Sequence, residues 1–206
     1  MEIYNTNTFE KLKIRPVRVD NLYNGIKYFP KSYVELTNIV HEKIGEFGNN
    51  CDLNDIDVSQ IKEMSYLFTF DFNGDISEWD VSNVERMDYM FAHNTTFNGD
   101  ISKWNVSNVK NMNAMFYNAS KFNSDISEWD VSNVVEMDDM FRKAEKFNCD
   151  ISKWNVGGVQ SMQSMFHGAS SFKQDLSDWD VSNVKWYSYM FSHCPLAHEH
   201  NKQPKF

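Results

Sequence analysis

The chain of 206 residues is within reach of a single domain. Its 29 Asp and Glu outnumber 20 Lys and Arg for a formal net charge of -9. That balance speaks against nucleic acid or an anionic membrane as partner, because phosphate contacts need clustered Lys and Arg, and it suits a protein with a basic surface.

No apolar run reaches the roughly 18 to 20 residues that span a bilayer, so membrane insertion is not expected. The opening stretch MEIYNTNTFEKLKIRPVRV shows no apolar core, small-residue cleavage site or lipid-attachment cysteine, and predicts a cytoplasmic chain as it stands. A surface or secreted location would require trimming or a leaderless export route. Cys51, Cys149 and Cys194 are too few and too irregularly placed for a disulfide framework, which fits a reducing compartment.

Residues 1–48 read as an amino-terminal cap, a hairpin followed by an amphipathic helix. Leu12, Ile14, Val17 and Val19 interleave with Lys11, Lys13, Arg15 and Arg18, the alternation breaking at Pro16. Asn24-Gly25 then precedes Ile26, Tyr28 and Phe29, a short-range hairpin signal. Pro30-Lys31-Ser32 opens the helix, with Ser32 and Glu35 at capping-box spacing. Val34, Leu36, Ile39, Val40 and Ile44 form its apolar stripe, and Gly45 or Gly48 ends it.

Residues 49–71 form a shortened, irregular first repeat, and residues 72–191 hold five full ones. The first full unit is FNGDISEWDVSNVERMDYMF, which returns every 25 residues, at Phe97, Phe122, Phe147 and Phe172. Self-similarity at such a period marks a solenoid. Ile76, Trp79 and Val81 have the L-x-x-L-x-L spacing of a leucine-rich-repeat strand, with Glu78 and Asp80 pointing outward by period-2 alternation. Val84, Met87, Met90 and Phe91 then change to helical spacing. The predicted fold is therefore an α/β solenoid, a leucine-rich-repeat-like, right-handed stack of strand–turn–helix units. The Trp and Met columns are assigned to its core, since no unit could fold alone.

Four polar columns recur, two of them at the outward positions. Asp75, Asp100, Asp125, Asp150 and Asp175 are expected to accept hydrogen bonds from their own turns rather than to bind cations, which need more oxygens than one loop supplies. Asn83, Asn108, Asn133 and Asn183 give way to Gly158 in one unit, a replacement that predicts a left-handed backbone there. The outward positions are the candidate binding residues: Glu78, Asp80, Lys103, Asn105, Glu128, Asp130, Lys153, Asn155, Asp178 and Asp180. Their alternation of Glu with Lys predicts ion pairing from rung to rung across a net-acidic, concave strip.

Residues 192–206 end the array as a carboxyl-terminal cap. His193, Cys194, His198 and His200 are zinc-ligating types, but their spacing matches no established site. No phosphate loop, nucleophile elbow or His-Glu-x-x-His element is present, so no catalytic residue, metal or cofactor is assigned.

The pattern FNxDISxWDVSNVxxMxxMFxxA resembles the repeat of the BspA-like, mycoplasma-lipoprotein-type surface protein family, closely over residues 72–191 and loosely over 49–71. The segment FPKSYVEL, residues 29–36, is similar to the entry that precedes such arrays. Gly157-Gly158 in place of Ser-Asn, and Trp186-Tyr187 at the first Met column, depart from it. The resemblance implies a leucine-rich-repeat-like fold and adhesion or host interaction without catalysis. The function expected is a monomeric, non-enzymatic protein-interaction module. The alternatives are an intracellular inhibitor or immunity-type protein that blocks a basic partner, and a metal-dependent enzyme built on the histidine tail.

Overall fold

A computed structural model describes residues 25–206. The ribbon predicted at the amino terminus therefore lies, up to residue 24, outside the described residues. Its remainder, from Gly25 onward, joins the first repeat. The Lys27 and Tyr28 amides both donate to the Asp55 carbonyl, at 2.8 and 3.1 Å, and the Asp57 amide returns a bond to Tyr28 at 2.9 Å. Tyr28 and Ile56 form a parallel bridge.

Helix α1 (Tyr33–Phe47) begins at Ser32, whose hydroxyl accepts from the Glu35 amide. Glu35 reaches back one residue further than a capping box would, accepting from the Lys31 amide at 2.7 Å. The Gly48 amide closes the last turn on Ile44. Leu36, Ile39 and Val40 are buried against the first coil, and the Tyr33 hydroxyl donates to the Ser65 carbonyl at 2.7 Å. Lys43, also buried, is held by Asp55 at 2.5 Å, which pairs a charge that would otherwise be costly to desolvate.

Each repeat makes one coil, and neighbouring coils meet through parallel bridges. Arg86 pairs with Asn111, Asn111 with Glu136, Glu136 with Ser161, and Ser161 with Trp186. Glu63 pairs with Arg86 across the shortened first repeat. These bridges fall in the half of the repeat expected to be helical; one more, Asp52 with Asp75, lies just before the stretch expected to be a strand, and that stretch consists of turns. Among the described residues no α-helix comes after α1.

The physical reason lies in where the amides point. The amides of Met87, Tyr89, Phe91 and His93 donate forward to the carbonyls of Asn111, Asn113, Met115 and Tyr117. The residues between them close tight turns, as Met90 does on Met87 and Ala92 on Tyr89. These i to i+3 turns place Met87, Met90 and Phe91 inward at a spacing that imitates one face of a helix. Left-handed residues, Tyr89 at φ 58° and His93 at φ 64°, turn alternate amides to the same side. Upstream, Trp79 closes a turn on Ile76 and Val84 one on Val81, at 3.2 and 2.9 Å. Two successive turns thus produce the apolar spacing that reads as a strand.

The core runs the length of the array. Phe91, Phe116, Phe141, Phe166 and Phe191 stack in one column with centroids 5.5 to 5.8 Å apart. Phe97, Phe122, Phe147 and Phe172 form a second column beside it. The Trp79, Trp104 and Trp129 indoles lie parallel within 4° at 6.5 Å. The Met columns are fully buried from Met87 to Met165.

Candidate functional site

The ten candidate side chains occupy the two turns of each coil. Glu78, Lys103, Glu128, Lys153 and Asp178 sit in the turns that end at each Trp, and all are exposed. Asp80, Asn105, Asp130, Asn155 and Asp180 open the turns after it and are exposed as well. The strip carries six carboxylates against two lysines. Of the expected ion pairing, Lys103 with Glu78 at 3.8 Å is the one pair within it among the described residues.

The two halves of the strip differ in freedom. Asp80 accepts from the Ser82 amide at 3.0 Å, Asn105 from Ser107 at 3.2 Å, Asp130 from Ser132 at 3.1 Å, Asn155 from Gly157 at 3.2 Å and Asp180 from Ser182 at 3.0 Å. Each is an Asx-turn, in which the side chain supplies the acceptor its own backbone needs. Hydrogen bonds from Ser132 and Ser182, side chain then amide, hold the Asp130 and Asp180 carboxyls below the ordinary value. Glu78, Glu128 and Asp178 have no such duty.

The column at Asp75 behaves as expected. Asp75, Asp100, Asp125, Asp150 and Asp175 accept from the amides of Ser77, Ser102, Ser127, Ser152 and Ser177 at 2.9 to 3.0 Å. Those amides are the main reason their carboxyls are depressed.

The asparagine column differs from its prediction. None of Asn83, Asn108, Asn133, Asn183 or Gly158 has a positive φ. Each amide side chain donates instead to the preceding coil, to the carbonyls of Ser59, Ser82, Ser107 and Gly157 at 2.7 to 2.8 Å. Where Gly158 lacks that arm, a Cβ would stand only 2.9 Å from the Ser132 carbonyl. The left-handed positions lie elsewhere, in the columns of Tyr89 and His93.

Two further ladders lie outside the sequence expectations. Each indole N–H of the column from Trp79 to Trp179 donates to a carbonyl of the coil before, Trp104 to Ile76 and Trp129 to Ile101, both at 3.1 Å. The Asn73, Asn98, Asn123 and Asn148 side chains accept from the amides of Asn98, Asn123, Asn148 and Lys173. A signal for the second is present, since Asn comes directly after Phe in four consecutive units.

In the tail, Cys194 turns away from the histidines. Its thiol donates to the Phe172 carbonyl at 3.4 Å, and burial pushes it up to about 11. Among the described residues no three His, Cys, Asp or Glu side chains converge as a metal would require, and all three cysteines are free. No helix among them is long and apolar enough to cross a membrane.

Backbone amides, indoles and asparagines thus all reach from one 25-residue unit to the next, and the chain is a repeat protein. It belongs to the family described as Mycoplasma protein of unknown function, DUF285, whose model matches residues 35–148 and 124–203. No curated protein and no solved structure matches the chain.

Proposed function

We propose that the chain is a non-enzymatic protein-interaction module of the BspA-like adhesion or host-interaction kind. It is built as a leucine-rich-repeat-like solenoid and binds a basic protein surface through the strip from Glu78 to Asp180. The observation that carries this reading is the strip itself: six exposed carboxylates and two lysines repeated on the same turns of successive coils. Regular presentation of short polar side chains over many rungs is how stacked repeats form binding surfaces, and a field of one sign steers an oppositely charged partner.

The turn geometry decides which variant tests it. Reversing Asp80, Asp130 or Asp180 would remove a turn acceptor together with a charge. Changing Glu78, Glu128 and Asp178 together to Lys leaves every turn acceptor in place and gives up only the exposed Lys103–Glu78 pair, which is worth little to stability. The partner captured from native lysate is expected to bind this triple variant about tenfold or more weaker at low salt, the gap closing as salt rises. The circular dichroism spectrum and melting temperature should stay unchanged. Equal affinity with an intact fold would move the binding site off the strip.

A further inference from the structure

The array is directional, and its carboxyl-terminal end is left with donors facing outward. In the coil before last, the amides of Met162, Ser164, Phe166 and Gly168 donate to the carbonyls of Trp186, Ser188, Met190 and Ser192. The equivalent amides in the last coil belong to Tyr187, Tyr189, Phe191 and His193. They keep the same backbone shape, with Tyr189 at φ 61° and His193 at φ 58°. The turns between them close as before, Met190 on Tyr187 and Ser192 on Tyr189. Yet these four amides meet no acceptor among the described residues.

The tail closes the other half of this end and touches the open half at one ring, where Phe206 stacks on Tyr187 with centroids 4.0 Å apart. The Leu176 amide donates to the Lys202 carbonyl at 2.8 Å, and Leu196 is fully buried. Between the tail and the open amides lies a recess of about 290 Å³, bordered by Tyr187, Tyr189, Phe191, Ala197, His200 and Phe206. Trp186, Tyr187 and Tyr189 are 53, 45 and 73% exposed. An aromatic cluster on an unpaired edge is a template for strand addition.

We propose that this end binds an extended segment of another protein, laid parallel to residues 186–193 as one more rung. Its alternate carbonyls accept from Tyr187, Tyr189, Phe191 and His193, and its apolar side chains enter the recess. Continuity with the inter-coil ladder sets this chemistry, because every earlier coil has its amides covered in that way. A second copy of the chain does not supply the match. Its own carboxyl-terminal end offers donors to donors. Its amino-terminal end is covered by α1, whose Leu36, Ile39 and Val40 are buried on the first coil and whose Tyr33 hydroxyl takes the Ser65 carbonyl. The surface is separate from the acidic strip, so the two readings stand or fall independently.

The test uses the full chain and a synthetic peptide of residues 106–119, VSNVKNMNAMFYNA, which contains the carbonyl row that covers an interior coil. Amide hydrogen exchange is followed by NMR. In the free chain, Tyr187, Tyr189, Phe191 and His193 should exchange at least about tenfold faster than Tyr89, Phe116 and Phe141. Excess peptide should slow those four by a similar factor, and a scrambled peptide should not. Four outcomes would overturn the proposal. The amides are already protected in the free chain, they stay fast with the peptide, the scrambled peptide protects them equally, or the chain self-associates through Trp186 with the amides still fast.

Discussion

Tryptophan in this chain holds neighbouring coils together by two means at once, ring burial and one directed hydrogen bond. At Trp129 the ring packs on Trp104 and the buried Phe116 of the preceding coil, and its N–H donates to the Ile101 carbonyl. Replacement by Phe keeps most of the burial and removes one of the two hydrogen bonds to that carbonyl, which still accepts from the Trp104 amide, so Trp129→Phe is expected to cost roughly 0.5 to 1.5 kcal/mol in urea unfolding. The Asp75 column makes a pH statement. Its carboxyls titrate below their ordinary 3.8 when folded, so their contribution is complete above that value and is lost as pH falls through the lower folded values. Urea midpoints should hold steady from pH 7 to about 5 and fall below about 4. Asp125→Asn keeps the acceptor, as Asn105 and Asn155 do in the neighbouring column, and should flatten part of that fall. At this scale the sequence is legible where a residue does one thing. Trp and Met read as core, and Asp75 as a turn acceptor. The Asn83 column misleads because Gly158 suggests a backbone need, whereas the asparagines serve as side-chain arms between coils.

Turns, rather than strands and helices, are the elements from which each coil is made. Both differences from expectation have a geometric origin. A turn closed between i and i+3 places apolar residues three apart, as a helix face does, and two such turns in succession yield the x-x-L-x-L spacing of a strand. Only the direction of the amides separates these cases, and side-chain pattern does not encode it. Helix α1 is legible because its start is written in side chains, with Ser32 ahead of an apolar stripe. The left-handed positions leave no such trace, since Tyr, Ala, Asp, Ser, His, Asn and Lys all occupy them. They carry strain that glycine would relieve. Lys143 at φ 58° occupies the position that Gly168 fills one coil later at φ 73°. Lys143→Gly is therefore expected to raise stability by roughly 0.5 to 1 kcal/mol, the left-handed penalty removed exceeding the added chain entropy of glycine. A chemical denaturation curve compared with the parent checks it.

On the scale of the whole molecule, period and cap are readable because repetition is itself a sequence property, and the 25-residue return needs no structure to be seen. The partner is not readable, because exposed side chains at fixed spacing define a surface without naming what meets it. Identical interfaces have a practical consequence. Excising residues 97–121 joins Met90-Phe91 and its neighbours to a unit with the same columns, so the shortened chain should fold cooperatively, with a smaller denaturant m-value in proportion to the surface removed. Excising residues 25–48 instead should uncover the apolar side of the first coil, where Leu53, Ile56 and Leu67 lie buried, and yield aggregation in size-exclusion chromatography.

The near-parallel indoles, 6.5 Å apart, form a single optical object. Light absorbed by one of them can be emitted by another several rungs away. Because the rings share one orientation, that migration leaves the polarisation of the emission intact. A quencher fixed beside one indole should therefore darken its neighbours too, until urea pulls the rungs apart.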